Sequence, residues 1–248
     1  MTTGGSQPVV LYDIASGPPV TAFAPNPWKA RYALNFKGIN YRTEWVDLPD
    51  VASVRKSLGA KPVRYFDDGE PFYTLPVLKD TSTDALVGDS FDIATYLDKT
   101  YPNGHKLFPP STVSLHVAFN AQVDAIFSAN AILFLDGMLL NPETAEASKA
   151  EFCRRMRVKH WDELTVRGEE RAKTLENLKN GLAELAKVFE RTEGPFLEGE
   201  TPMYADFIVG GWLMMLSKCL AEWDQVSSWQ GGIWGKLHEA LEPYSQVK

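Results

Sequence analysis

Cysteine is scarce in this chain. The two that occur, Cys153 and Cys219, are too few for a disulfide framework and suit a reducing, cytoplasmic setting. No cysteine precedes Cys153, which excludes Cys-x-x-Cys chemistry from the first half. Histidine is equally sparse: His105, His116, His160 and His238 are dispersed without metal-ligand spacing, so no metal is expected. Basic charge is in deficit, with a formal net charge of −7. What there is of it lies among acids, as in Lys159-His160-Trp161-Asp162-Glu163. Nucleic acid and anionic membrane surfaces are therefore excluded as partners. No apolar run approaches the roughly 18 residues of a membrane span. The segment from Met1 to Pro8 has neither a charged n-region nor an apolar h-region and reads as a frayed tail, not a secretory signal. Internal repeats and low-complexity stretches are also missing. Present instead are 248 residues, 44% hydrophobic and 23% charged, an ordinary soluble composition long enough for one large or two modest domains.

Texture divides the chain. From Val9 to about Lys106 strand-like and helical patterns alternate. Val9-Val10-Leu11-Tyr12 is a buried-strand run, with Tyr12 in the core. A helix follows, with Trp28, Tyr32, Ala33 and Phe36 sharing a face and Gly38 as its stop. Tyr41 to Val46 alternates as a second strand, completing β-α-β. Val77 to Lys79 and Leu86 to Gly88 read as two strands joined by a polar loop, and a helix from Phe91 to Lys99 comes next, capped by Ser90. Between Asp47 and Tyr73 the chain is longer than a crossover needs. Asp68-Gly69, between Tyr65-Phe66 and Phe72-Tyr73, predicts a short helix plus an added hairpin at the rim of a cleft. Prolines at Pro102, Pro109 and Pro110 mark a linker, and helical periods dominate beyond it. Leu175, Leu178, Leu182, Leu185 and Phe189 form the seam of one amphipathic helix, and Ala205 to Leu220 is apolar enough to be a buried central one. The expected class is an α/β thioredoxin-like N-terminal domain over residues 1–106, a linker over 107–112 and an all-α domain over 113–248.

Two motifs give this frame a chemistry. Thr74-Leu75-Pro76-Val77-Leu78 places a proline, of the kind often found cis, where a strand lacks a ladder donor. Gly88-Asp89-Ser90 opens a helix with an acid and a hydroxyl at its positive end. Together, with Lys106-Leu107-Phe108-Pro109 beyond, they resemble the glutathione-binding half of the glutathione transferases. The resemblance implies the glutathione transferase fold, glutathione as co-substrate, and backbone pairing of Leu75 or Val77, beside Pro76, with the cysteinyl unit. It also implies that Asp89 and Ser90 hold the γ-glutamyl group, and a homodimer. Lys61 and Arg64 are candidates for the glycyl carboxylate; solvated surface charge is the competing reading for each. The block Ala24-Pro25-Asn26-Pro27-Trp28-Lys29-Ala30-Arg31-Tyr32-Ala33-Leu34 resembles the fungal etherase-like class, whose relatives are the bacterial β-etherases. That likeness implies small aromatic electrophiles, thiolytic release of a phenol, or storage of plant phenolics without turnover.

One position departs from the family pattern. Counting back from Ala33-Leu34-Asn35-Phe36-Lys37-Gly38, the site that carries Ser in Ser-type members carries Ala24, with Lys29 in the basic position. A thiol with a pKa near ~8.5 is only a few per cent thiolate at pH 7, and each unit of lowering needs about 1.4 kcal/mol. A helix N-terminus gives roughly 0.3–1 kcal/mol, and Pro25 and Pro27 thin its donors. Weak activation follows. Asn26, through its amide, is the leading sulfur partner, with helix capping as its alternative role. Ser16, in a loop-like Ala15-Ser16-Gly17-Pro18-Pro19 segment, is the second candidate. Phe23, Trp28, Phe127, Phe134 and Trp212 are candidates to line the second-substrate pocket, against core packing as the default. In Thr201-Pro202-Met203-Tyr204-Ala205-Asp206, Asp206 matches the family's buried capping segment while Met203 replaces its usual Ser or Thr; Asp206 is read as structural.

Overall fold

The computed structural model describes residues 9–248; the tail expected from Met1 to Pro8 lies outside them. Strand β1 (Val9–Ile14) leads into helix α1 (Pro25–Phe36) and strand β2 (Tyr41–Val46), which pairs in parallel with β1. A 3-10 turn (Leu48–Asp50) and helix α2 (Val51–Ser57) are followed by the added hairpin, β3 (Arg64–Tyr65) with β4 (Pro71–Phe72). Gly69, at φ +83°, makes its turn as the Asp-Gly pair implied. Strands β5 (Val77–Asp80) and β6 (Ala85–Val87) and helix α3 (Ser90–Thr100) complete the first half. The sheet order is β2-β1-β5-β6, with β5 antiparallel to both neighbours. This is the thioredoxin-like arrangement.

Two helix starts differ from the sequence reading. Helix α1 begins at Pro25, with Ala24 as an N-cap that contributes no side-chain bond. Proline is preorganised for the first helical position, so Pro25 takes it and Asn26 falls inside the first turn, not at the cap. Helix α3 begins one residue early: Asp89 is the cap, its Oδ1 accepting from the Phe91 N–H at 2.8 Å, and Ser90 is the first helical residue. An aspartate carboxylate caps at least as well as a serine hydroxyl and also meets the helix dipole.

Beyond the linker come α4 (Val113–Ser128), α5 (Ile132–Leu135), α6 (Ala145–Met156), α7 (Gly168–Phe189), α8 (Tyr204–Cys219) and α9 (Trp223–Ala240), the last kinked at residues 229–232. Helix α8 is the expected central helix, packed against α1, α4 and α9. It touches α1 closely because of Gly211: a Cβ there would stand 2.5 Å from the Pro25 carbonyl oxygen and 2.9 Å from Lys29 Cγ. Two helix-interior glycines, Gly210 and Gly211, cost helix propensity of about 1 kcal/mol each, and the close approach of α1 is what they permit. At the start of α8, Asp206 accepts from the N–H groups of Met203 and Leu197, both at 2.8 Å, which is the structural role expected of it.

An ion pair lies deep in the first half. Asp13 and Arg31, both fully buried, form an ion pair at 2.7 Å, and Arg31 also donates to the Thr43 hydroxyl at 2.9 Å. At the far edge of the sheet the C-terminal residues cover β2, with the Lys248 carbonyl accepting from the Thr43 N–H at 2.7 Å. That pairing blunts an edge strand that would otherwise be open.

Candidate functional site

A cavity of about 420 Å³ opens where the N-terminus of α1, the strand start after Leu75 and the faces of α4, α5 and α8 converge. On its thioredoxin-like side stand Ala24, Pro25, Asn26, Thr74, Leu75 and Asp89. The Leu75–Pro76 peptide bond is cis. Strand β5 pairs with β1 only from Val77 onward, so the Leu75 backbone lies just beyond the ladder, beside the cavity. Pro76 and Val77 sit behind it at the start of the strand. The opposite wall is apolar and aromatic: Phe134, Leu135, Met138, Met215 and Trp212, with Phe23 and Phe72 at the sides. Methionines in such a wall fit varied shapes.

The first turn of α1 offers few donors. Pro25 and Pro27 have no N–H, and the Trp28 N–H already reaches the Ala24 carbonyl at 3.2 Å. This leaves the main-chain N–H and side-chain amide of Asn26, a residue of the cavity wall, as the donors of this turn. Below it, Lys29 is fully buried and binds Asp124 on α4 at 2.6 Å. Asp124 reaches the cavity wall and also accepts from the Trp212 indole N–H at 2.7 Å. Burial pushes the Lys29 ammonium down, and the Asp124 carboxylate beside it acts the other way. One carboxylate thus fixes the ring orientation of Trp212 and ties α1 to α4.

The hairpin forms a roof pinned by α6. Arg154 binds Glu70, Arg157 binds Asp68 at 2.7 Å, and Arg155 donates to the Tyr73 carbonyl at 3.1 Å. Glu151 orients this set, accepting from Arg154 and Arg155 at 2.7 Å each. Burial pushes the Glu151 carboxyl up, but the two arginines outweigh it and hold it below its ordinary value. Phe72 lies between the guanidinium of Arg64, 4.6 Å from its ring centre, and that of Arg155, at 5.3 Å.

The cavity therefore gathers Asn26, Arg64, Leu75, Asp89, Phe23, Phe134 and Trp212. Other candidates fall elsewhere. Ser16 is buried in the wall of a separate cavity, its hydroxyl accepting from the Thr21 N–H at 2.5 Å and donating to the Gly17 carbonyl at 3.1 Å; it holds its own loop. Trp28 is buried with its indole N–H on the Ala22 carbonyl at 2.9 Å, and Phe127 is fully buried. Both are core residues that do not reach the cavity, Phe127 backing Trp212 as a parallel ring 5.2 Å away. Ser90 is buried behind Asp89, near the Tyr204 hydroxyl. Lys61 is exposed at an adjoining cavity of about 570 Å³ that shares Val63 and Asp89 with the first. Asp124, Arg155 and Arg55 went unnoticed in the sequence, because each acts through a partner far along the chain. Among the described residues no cluster of His, Cys, Asp and Glu forms a metal site, and no helix is long and apolar enough to cross a membrane.

Comparison with known proteins gives the same picture. Residues 23–100 match the glutathione S-transferase N-terminal domain and residues 114–244 the glutathione S-transferase C-terminal domain. The chain is 31% identical to a glutathione S-transferase-like protein, ustS, of Aspergillus flavus, over 84% of this chain and 80% of that one. A glutathione S-transferase of Ceriporiopsis subvermispora, solved in complex with glutathione, superposes with a TM-score of 0.88 at 36% identity, covering 97% of this chain and 98% of the other. Glutathione transferase GSTFuA3 of Phanerochaete chrysosporium does so at 0.84 and 32%, with the same coverage. This chain is a member of the glutathione S-transferase family.

Proposed function

We propose that this protein conjugates glutathione to small hydrophobic aromatic electrophiles, including thiolytic cleavage of aryl ethers or esters. The carrying observation is that one cavity joins two kinds of wall. The cis-proline turn at Leu75 and the Asp89 cap suit a peptide with a free amine, and Phe134, Trp212 and the methionines suit a flat apolar partner. In this reading glutathione pairs its cysteinyl unit with the Leu75 backbone and its γ-glutamyl amine with Asp89. Ser90 stands close behind, and Arg64 or Lys61 meets the glycyl carboxylate. The sulfur lies at the start of α1, where Asn26 donates to the thiolate. In thiolysis that thiolate attacks the carbon bearing the aryl oxygen. A C–S bond forms, the C–O bond breaks, and the phenolate leaves and takes a proton from water.

Ala24 supports a second reading. It occupies the cap of α1 without a hydroxyl, so thiolate formation rests on Asn26 and a thinned helix terminus. A protein of this kind is suited to hold glutathione and bind plant phenolics with little turnover. A homodimer in the cytoplasm is part of both proposals. Calorimetric titration with reduced glutathione, beside turnover assays on a panel of aryl halides, isothiocyanates and aryl ethers, separates them. Binding with turnover supports the transferase, binding without turnover the storage protein, and no binding removes both. Asp89→Ala should weaken glutathione by about 1–3 kcal/mol, the loss expected for an unpaired buried partner.

A further inference from the structure

Arg55, on α2, is almost fully buried yet makes no ion pair among the described residues. Its guanidinium spends its donors on main-chain carbonyls. Nη1 donates to the carbonyl of Thr74, next to the cis-proline turn, and Nη2 to that of Lys61 at 2.5 Å. The same group fills the space beneath Gly88: a Cβ there would stand 2.6 Å from Nη2 and 3.3 Å from Cζ. Nε is buried without a hydrogen-bond partner. Three segments that wall the candidate site are thus seated on one planar fork: the 61–64 loop, the turn before Pro76, and the Gly88-Asp89 turn. None of them is bonded to the others by regular secondary structure at these points, and a lysine ammonium lacks the fixed geometry to replace the fork.

We propose that Arg55 is a positioning residue for the glutathione site, holding the Lys61 loop, the Thr74-Leu75 backbone and the Asp89 cap at the separation the peptide requires. The proposal rests on the reading of this cavity as a glutathione site. It extends that reading to a residue that lies behind the ligand-facing wall and acts through its neighbours. It also accounts for the glycine at position 88, where φ is ordinary and any side chain would displace the guanidinium.

The test uses the full-length protein and Arg55→Lys. Steady-state kinetics should show KM for glutathione raised about tenfold or more, with kcat at saturating glutathione within about threefold and KM for the electrophile unchanged. In the ligand-free protein, amide hydrogen exchange should quicken about tenfold in residues 61–64 and 88–90 while α8 keeps its protection. A folded variant with unchanged glutathione KM and unchanged local exchange overturns the proposal. So does faster exchange spread evenly over the chain, which marks Arg55 as a packing residue only. If the wild-type protein binds no glutathione, the transferase reading fails, while the exchange measurement still decides whether Arg55 seats the three segments. Should Arg55→Lys not fold, Gly88→Ala carries the test: its Cβ would displace Nη2, so glutathione KM should rise about tenfold and exchange should quicken about tenfold in residues 61–64, which position 88 reaches through Arg55. A folded Gly88→Ala with unchanged KM and unchanged exchange in residues 61–64 overturns the proposal.

Discussion

At the scale of single residues, the proposed chemistry turns on Ala24 and Asn26, both in the cavity wall. A hydroxyl at position 24 would project from the N-cap of α1 into the cavity wall, at the positive end of the helix. Ala24→Ser should therefore raise turnover and lower the pKa of the bound thiol, seen as thiolate absorbance appearing at lower pH. An unmoved titration curve would place the sulfur away from Ala24. Asn26 is open to a sharper separation now that its place in the helix is known. A capping asparagine replaced by alanine costs about 1 kcal/mol, but the cap is Ala24 and Asn26 stands in the first turn, where alanine is a good helix former. Asn26→Ala should thus leave the melting temperature nearly unchanged while kcat/KM falls about tenfold or more, since a donor aimed at developing thiolate charge acts on its formation. Thermal unfolding and initial rates on this one variant supply both readings. Normal turnover would pass the sulfur role to the backbone N–H of Asn26 alone, because the Ser16 hydroxyl is committed to its own loop.

At the scale of elements, the contact of α1 with α8 sets where the first turn of α1 sits. Gly211→Ala should drive the Pro25 carbonyl and the Lys29 stem away from α8, costing about 1–3 kcal/mol as overpacking does. A shift of that turn moves Asn26 as well, so kcat/KM should drop with it. Gly210→Ala strikes the same helix pair differently: its Cβ would meet the flexible end of the Leu241 side chain at 2.3 Å and stand at an ordinary 3.4 Å from Tyr32 on α1, so it should cost stability with less displacement of the first turn. A folded Gly211→Ala with unchanged kcat/KM would show that the α1–α8 contact does not position the site. Elements were largely legible in the sequence because their signals are local. Alternation gave β2, Asp68-Gly69 gave the hairpin turn, and the Leu175–Phe189 seam and the Ala205–Leu220 run gave α7 and α8. The helix starts were misread by one or two residues where two good caps compete, as at Asp89-Ser90, or where proline overrides asparagine, as at Pro25.

At the scale of the whole molecule, the site is made by long-range pairings that no local pattern encodes. Lys29 with Asp124, Arg154 with Glu70, and Arg55 beneath Gly88 each join distant segments, and charged residues read in isolation look like solvated surface. Cavity-lining positions such as Leu75 and Asp89 stand out through motif spacing; the buried residues packed behind them do not, and two of the five aromatics expected in the pocket, Trp28 and Phe127, are spent on the core. Asp206 shows how burial makes such an anchor sensitive to pH. Burial pushes its carboxyl up from an ordinary 3.8 to about 7, against the N–H bonds from Met203 and Leu197 that pull it down. A carboxyl with a raised folded pKa keeps its proton in the native state while the unfolded chain has released it. Its contribution to stability is therefore full below 3.8 and is lost as pH rises toward about 7, after which it is flat. Asp206→Asn keeps a carbonyl acceptor and removes the titration. The melting temperature of the wild-type protein should exceed that of Asp206→Asn by a margin that shrinks between about pH 4 and about pH 7, measured by calorimetry at matched ionic strength. A margin that stays constant or widens would mean that the two backbone donors keep Asp206 ionised throughout, and that its burial is fully offset by the helix start it caps.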